Sequence, residues 1–398
     1  MRAVALIDGE HYAAVVRDAL AELPYEFVAA LLVGGTEKLR GGEEYGVPLA
    51  ASLAEAVAAH EPEIVVDLSD EPVLGPRERL HLASRVLAAG LPYVGADFRL
   101  DPPAFVPFEL PSLAVIGTGK RVGKTAVACH LARLLAAERE VVVVSMGRGG
   151  PPEPELVEVP PTLESLLALS RAGRHAASDH LETAALTGVP TVGCRRCGGG
   201  LAGATFVSNV LEGARLAAAR APDVVVFDGS GAAIPPIAAG ARILVAHDLE
   251  SGLNPYRALI SDLVLAMDGE VAESAGALGV PALRFELRLQ PTQPLAGRAA
   301  AVFTTGPAPL DHLDGVVFSS RNLADRALLR RDLETVDADV YVVELKAAAI
   351  DLVAETAAAR GVDVVLADNE VVAAGLDDAL LELAALAVGA EARDNLLR

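Results

Sequence analysis

A lysine and a threonine stand side by side at the end of a glycine-rich stretch, Gly117-Thr118-Gly119-Lys120-Arg121-Val122-Gly123-Lys124-Thr125. An apolar run, Leu113–Ile116, precedes it, and Leu131, Leu134 and Leu135 continue a helical pattern after it. Strand, glycine-rich turn and helix start, in that order, make a cradle for phosphate. The first turn of a helix leaves backbone N–H groups unpaired and carries positive dipole charge. Glycines let the main chain close on an anion with no Cβ in the way. Residues Gly117 through Thr125 would then hold the phosphates of ATP, with Lys124 at the β- and γ-phosphates and the Thr125 hydroxyl on Mg²⁺. The spacing departs from the common form once: the first glycine expected five places before Gly123 is Thr118, flanked by Gly117 and Gly119. A Gly-Lys-Thr triplet arises often by chance, so the strand before and the helix after carry the reading.

A metal held by one hydroxyl needs a second oxygen donor. Val224–Asp228 is an apolar strand ending in a carboxylate, followed by Gly229-Ser230-Gly231. Alone, an acid at a strand end is unremarkable. About a hundred residues after a phosphate loop, Asp228 becomes the expected partner of Thr125 at the metal. Only four of the 33 basic residues are lysines, Lys38, Lys120, Lys124 and Lys346, and two of these fall in the loop. An arginine-rich composition would otherwise place arginine there, so the retained pair is informative. Arg148, Arg195 and Arg196 stand in further glycine-rich passages, where the planar guanidinium suits phosphate oxygens. Any one of them alone would read as a solvated surface arginine.

These groups need a scaffold. The chain has 398 residues and 52% hydrophobic content, enough for two or three domains with their own cores. Short β-branched runs alternate with Ala/Leu-rich helical stretches throughout, as in α/β domains with buried parallel sheets. Strands are expected at Val4–Asp8, Phe27–Val33, Glu63–Leu68 and Tyr93–Gly95, then a Pro-rich linker from Asp101 to Pro111. A second series carries Leu113–Ile116, Val141–Ser145, Asp223–Asp228 and Ile243–Ala246 and breaks near Gln290–Pro294. A third has Ala300–Thr304, Gly315–Phe318, Val340–Glu344 and Val364–Ala367. The expected organisation is three consecutive α/β units, 1–100, 111–290 and 298–398, the central one a P-loop NTPase-type parallel sheet.

A net charge of −21 argues against nucleic acid and anionic membrane surfaces as partners. There is no signal-like N-terminus and no apolar run long enough for a membrane span, and three cysteines make no disulfide framework, so a cytoplasmic setting is expected. Cys194-x-x-Cys197 has the spacing of a redox dithiol, but zinc would need ligands that no second cysteine pair supplies; small loop cysteines around two arginines is the simpler reading.

The loop resembles that of dethiobiotin synthetase, and Asp228-Gly229-Ser230-Gly231 resembles that family's acid-Gly-Ala-Gly element, with Asp for Glu. A closer resemblance is to the cyclic 2,3-diphosphoglycerate synthetase family. It rests on Ala5–Tyr12, Gly117–Thr125, Met146–Pro151, Gly193–Gly200 and Asp228–Pro236, which span the first two thirds; the last hundred residues match less distinctly. The resemblance implies an ATP- and Mg²⁺-dependent ligase that closes 2,3-bisphosphoglycerate to its cyclic pyrophosphate, releasing ADP and phosphate, in a homodimer. With so much negative charge in one site, Arg148, Arg195 and Arg196, with Ser230, are expected on the substrate phosphates. Lys120 is placed at the transferring group, so that Lys124, Lys120, Arg148 and Asp228 form the catalytic set.

Two other readings remain open from the residues. One is a different P-loop kinase or dethiobiotin-synthetase-like ligase acting on another small acidic metabolite. The other is a nucleotide-gated regulatory ATPase, whose second loop lysine would occupy the place of Gly119. Among lesser candidates, Ser178 is expected to cap a helix carrying Asp179 and His180. Asp8–His11 and Asp67–Asp70 end strands where α/β sheets bind ligands. Glu153 and Glu155 could support the metal, though a solvated acidic loop explains them too. Lys346 ends an apolar strand and fits either an anion site or a pairing with a nearby acid.

Overall fold

The computed structural model describes residues 1–346 and 349–396, which form two compact units. The first holds Met1–Ala104, Asp248–Ile260 and Ala277–Val280. Its sheet has the order β2-β1-β3-β4-β5, from β1 (Arg2–Ile7), β2 (Glu26–Leu32), β3 (Ile64–Asp67), β4 (Tyr93–Val94) and β5 (Arg99–Leu100). All neighbours are parallel except β4 and β5. A strand flanked on both sides and covered on both faces must be apolar throughout, and β1 is buried from Ala3 to Ile7. The connecting helices are α1 (Ala13–Glu22), α2 (Leu53–His60) and α3 (Pro76–Ala88). Ser52 caps α2 by accepting from the Glu55 N–H at 3.1 Å.

The second unit holds Phe105–His247, Ser261–Gly276 and Pro281–Arg398. Its strand β6 (Val106–Pro107) lies inside the expected linker; it pairs with β13 (Ile237–Ala238), so this Pro-rich passage is part of the fold. The larger sheet has nine strands. They are β7 (Ser112–Gly117), β8 (Val141–Gly147), β9 (Glu155–Val157), β10 (Thr191–Cys197), β11 (Val207–Ser208), β12 (Val224–Asp228), β14 (Ala241–Ala246), β15 (Leu263–Ala266) and β16 (Ala282–Arg284). The order is β11-β10-β8-β12-β7-β14-β15-β16, with β9 added beside β10. From β10 to β16 every pair is parallel. Helices α4 (Lys124–Ala136), α5 (Leu163–Arg171), α6 (Asp179–Thr187) and α7 (Val210–Ala218) connect them.

Helix α4 follows from its apolar stripe. Val127, Leu131 and Leu135 bury against Val115, Val226 and Val245 of β7, β12 and β14, and Leu376, Leu380 and Leu383 of the C-terminal helix Leu376–Leu396 join the same core. Burying each such leucine contributes about 1.5–3 kcal/mol.

A five-stranded sheet follows in the same unit, ordered β17-β21-β20-β18-β19. It comprises β17 (Glu286–Pro291), β18 (Ala300–Phe303), β19 (Val316–Ser320), β20 (Val340–Glu344) and β21 (Asp363–Val372). The break expected at residues 290–294 is only half right: β17 runs antiparallel to β21 up to Pro291, and proline is tolerated at the end of an edge strand. Among the described residues, no helix is long and apolar enough to cross a membrane.

Candidate active site

The sheet order places the phosphate loop beside its acid. β7 ends at Gly117 and α4 begins at Lys124. On the neighbouring strand β12, Asp228 stands opposite Val115, so the carboxylate lies at the foot of the loop. Lys124 Nζ is 2.6 Å from Asp228 Oδ1, and Asp228 is 1% exposed. Burial pushes the Asp228 carboxyl above the usual carboxylate range, with Lys124 pulling the other way.

The loop glycines are dictated by space. Gly123 has φ +91°, and a Cβ there would press on Phe285 and Leu287 at 3.2 and 3.3 Å. A Cβ on Gly117 would meet the Gly231 carbonyl oxygen at 3.2 Å. Thr118, the departure from the usual spacing, is buried; its Oγ1 lies 2.8 Å from His247 Nδ1 and accepts from the His247 N–H. A hydroxyl tied to the end of β14 thus takes the place of the missing glycine.

The loop opens on a cleft of about 850 Å³. Gly119 to Thr125 form one wall, and Arg148, Gly149, Ser230 and Gly231 another. Ser178, Asp179 and Glu182, from the start of α6, form a third. Residues 305–309 after β18, residues 344–346 at the end of β20, and Asp368 and Asn369 within β21 complete it. Three of the four lysines in the chain line this one space.

Two of the three arginines converge. A Cβ on Gly231 (φ +59°) would collide with Arg148 Nη2 at 2.6 Å and approach Arg196 Nη2 at 3.5 Å. Arg196 Nη2 donates to the Ser230 carbonyl at 2.7 Å. Burial, and then the neighbouring Arg148 charge, lower the Arg196 pKa. Two guanidiniums held together in this way have the chemistry to receive an anion. Arg195 does not join them. It is exposed, and as the adjacent strand residue it projects from the other face of β10; its N–H donates to Asn209 Oδ1 at 2.6 Å. Lys120 and Arg121 are exposed at the rim.

Cys194, Arg195, Arg196 and Cys197 therefore lie on a strand rather than in the expected glycine-rich loop. Cys194 is buried and Cys197 exposed, both as free thiols, and burial raises the Cys194 thiol to about 12, far from a reactive thiolate. Ser178 occupies the N-cap position of α6 but makes no capping bond. His180 packs behind the site, its ring so close to Gly193 that a Cβ would sit 2.6 Å away; burial lowers its pKa. Glu155 is exposed on β9, 4.0 Å from Arg174, and Glu153 is also exposed.

The C-terminal sheet supplies one residue that sequence reasoning missed, Glu344, and one that it left open between an anion site and a pairing with an acid, Lys346. Glu344, buried at the end of β20, accepts from the Thr305 N–H at 2.6 Å and from Asn369 Nδ2 at 2.9 Å. Lys346 Nζ bridges both carboxylate oxygens of Glu182, at 2.5 and 2.7 Å. An acid ending an apolar strand was a cue present at Glu344 as at Asp228.

In the first unit, Asp8 accepts from the N–H groups of Glu10 and Asp70 at 2.9 and 2.7 Å and lies 2.7 Å from His11 Nδ1. Asp67 accepts from Ser69 Oγ and the Tyr93 hydroxyl, each at 2.5 Å, and forms an ion pair with Arg79, whose Nε lies 2.9 Å away. A smaller cavity of about 560 Å³ adjoins Asp67, Ser69 and Arg79. Among the described residues, no group of three or more His, Cys, Asp or Glu side chains is placed to hold a metal alone.

Three family models match successive stretches of the chain. They describe the N-terminal domain (residues 2–101), the P-loop domain (112–275) and the C-terminal domain (291–370) of cyclic 2,3-diphosphoglycerate synthetase. The cyclic 2,3-diphosphoglycerate synthetase of Rubrobacter xylanophilus is 49% identical over 96% of this chain and 97% of its own length. Those of Thermococcus gammatolerans and Methanothermus fervidus are 40% and 36% identical, over 98% and 97% of this chain and 99% and 97% of theirs.

Proposed function

The chain belongs to the cyclic 2,3-diphosphoglycerate synthetase family and is an enzyme of it, and on that premise we propose that it closes 2,3-bisphosphoglycerate to the cyclic phosphoanhydride. ATP supplies the drive and leaves as ADP and inorganic phosphate. One substrate phosphate attacks the γ-phosphorus and ADP departs. The other phosphate of the same molecule then attacks the activated phosphorus and expels inorganic phosphate. Both attacking groups belong to one bound molecule, so ring closure is unimolecular and gains the rate advantage of proximity.

The chain's own residues divide this work. The N–H groups of Gly117–Thr125 and the start of α4 take the triphosphate. Lys124 exchanges Asp228 for the β- and γ-phosphate oxygens, and Lys120, at the rim, reaches the transferring group. Arg148 and Arg196, over Ser230 and Gly231, hold the acidic substrate; Arg195 serves only if its side chain turns toward them. Thr125 and Asp228 fit Mg²⁺: both are hard oxygen donors, and magnesium takes one or two protein oxygens and completes its shell with phosphate and water. When bound, the ion would neutralise charge on the phosphate oxygens.

The observation that carries the reading is a cleft lined by Lys124 and Arg148, with the Asp228 carboxylate in contact with Lys124 behind it and Arg196 beside Arg148 over Gly231. Incubation with Mg-ATP and 2,3-bisphosphoglycerate, followed by phosphorus NMR, tests it. Resonances of a cyclic pyrophosphate, with equimolar ADP, are expected. ADP formation with other acids alone would remove the substrate assignment.

A further inference from the structure

Lys346 is the one lysine of the cleft that the phosphate loop does not supply. Its position is fixed from behind. The preceding residue, Leu345, is 1% exposed and packs with Leu166, Ala176, Leu181 and Ile350 in one apolar cluster. Glu344 pins the neighbouring loop through the Thr305 N–H and Asn369. The backbone at 344–346 is thus anchored while the lysine side chain remains 41% exposed toward the cleft. Its ammonium rests on the carboxylate of Glu182, on α6.

A second feature marks this wall as unfinished. Ser178 Oγ is buried and finds no hydrogen-bond partner among the described residues, although Ser178 lines the same cleft at the start of α6. A buried hydroxyl without a partner is costly, and it is relieved when a ligand brings an acceptor. The wall therefore holds an unpartnered donor at the start of α6 and, one turn along the helix, the carboxylate that carries the lysine.

We propose that Lys346 and Ser178 form a phosphate subsite for the acidic substrate, and that Glu182 holds Lys346 only until a phosphate replaces it. The inference rests on the proposed function for the substrate's identity. The Lys346–Glu182 pair repeats the Lys124–Asp228 pair at the loop: a carboxylate keeps a lysine in place and yields it to phosphate. The exchange takes the ammonium from a buried carboxylate, so the contacts that phosphate makes with Lys346 and Ser178 have to outweigh that loss. The C-terminal sheet is thereby part of the substrate site.

The test compares Lys346→Ala, Lys346→Arg and Glu182→Gln in the full chain, with thermal melting as a control. Losing a hydrogen bond to a charged group corresponds to about a ten- to hundredfold loss of affinity. Lys346→Ala should raise the KM for 2,3-bisphosphoglycerate by that factor while the KM for ATP stays within about twofold, and Lys346→Arg should restore part of it. Glu182→Gln should act in the opposite direction, lowering that KM, because the lysine is freed. If Glu182→Gln weakens the substrate as Lys346→Ala does, or if Lys346→Ala lowers the melting point without changing KM, the pair is only structural and the inference is wrong. Calorimetry with inorganic pyrophosphate separates this from the reaction assignment. Should the wild type make no cyclic product, weaker pyrophosphate binding by Lys346→Ala would still uphold the subsite, and unchanged binding would overturn it.

Discussion

Two strand ends in this chain carry the same local signal, an aspartate followed by glycine at the carboxyl end of a buried parallel strand. At Asp8-Gly9 the carboxylate is held by backbone N–H groups of Glu10 and Asp70 and by His11. At Asp228-Gly229 it is held by the Lys124 ammonium. The electrostatics differ accordingly. Burial acts to raise the Asp8 carboxyl, but its several donors outweigh it and the pKa is lowered; burial wins at Asp228 and the pKa is raised. Backbone donors cannot leave, whereas a lysine on a four-carbon stem can. The first aspartate is a fixture of its loop, whereas the second holds a cation on a flexible stem.

The largest effect expected is at Lys124. Lys124→Ala should lower ADP release by roughly a hundred- to a thousandfold. It also strands a buried carboxylate, so urea unfolding should show a loss of about 3–5 kcal/mol. Adding Asp228→Asn should return most of that stability and none of the turnover; recovery of turnover would break the assignment of both residues. At the other strand end, Asp8→Ala should cost about 1–3 kcal/mol by leaving two N–H groups unpaired, without the collapse of turnover. A comparable collapse would make Asp8 a functional residue and dissolve the contrast.

Arg195 and Arg196 sharpen the contrast between neighbours that look alike in sequence. Arg196→Ala should raise the KM for the acidic substrate about tenfold, in keeping with loss of a charge-assisted hydrogen bond, and Arg195→Ala should leave it within about twofold, the scale of an exposed charge. Equal effects would show that both side chains reach the substrate.

The smallest effect is in pH. With its folded-state pKa depressed, Asp8 contributes stability that is fully present above the ordinary carboxylate range and is lost as pH falls through that range toward the folded value. Asp228, with its pKa raised, has the opposite sign: ionisation costs stability above the raised value, and the cost is relieved as pH falls through it. In urea melts between pH 7 and pH 3, the advantage of wild type over Asp8→Asn should shrink on acidification, while its standing against Asp228→Asn improves. Parallel pH trends would contradict this.

The local parts of the site were legible. Strand, glycines and helix start announced the phosphate loop, and the apolar run into Asp228 announced the acid, because each signal lies within about a dozen residues. The strand β10 was hidden by the three glycines after Cys197, which made Gly193–Cys197 look like a loop, although Thr191–Cys194 is buried between strands β8 and β9. The wall from β18, β20 and β21 was not legible, since bringing Lys346 to Glu182 takes a contact across 164 positions. Lysine scarcity and a place at the end of an apolar strand pointed to Lys346 without naming its partner.

Four lysines make a direct test of the central claim possible. In protein labelled at the lysine ε-position, NMR titration with Mg²⁺ and a non-hydrolysable ATP analogue should shift Lys124 and Lys120 as Lys124 leaves Asp228, and should leave Lys38, paired with Glu37, in place. If Lys124 keeps its resonance at saturating nucleotide, or if Lys38 alone responds, the loop at residues 117–125 does not hold the triphosphate.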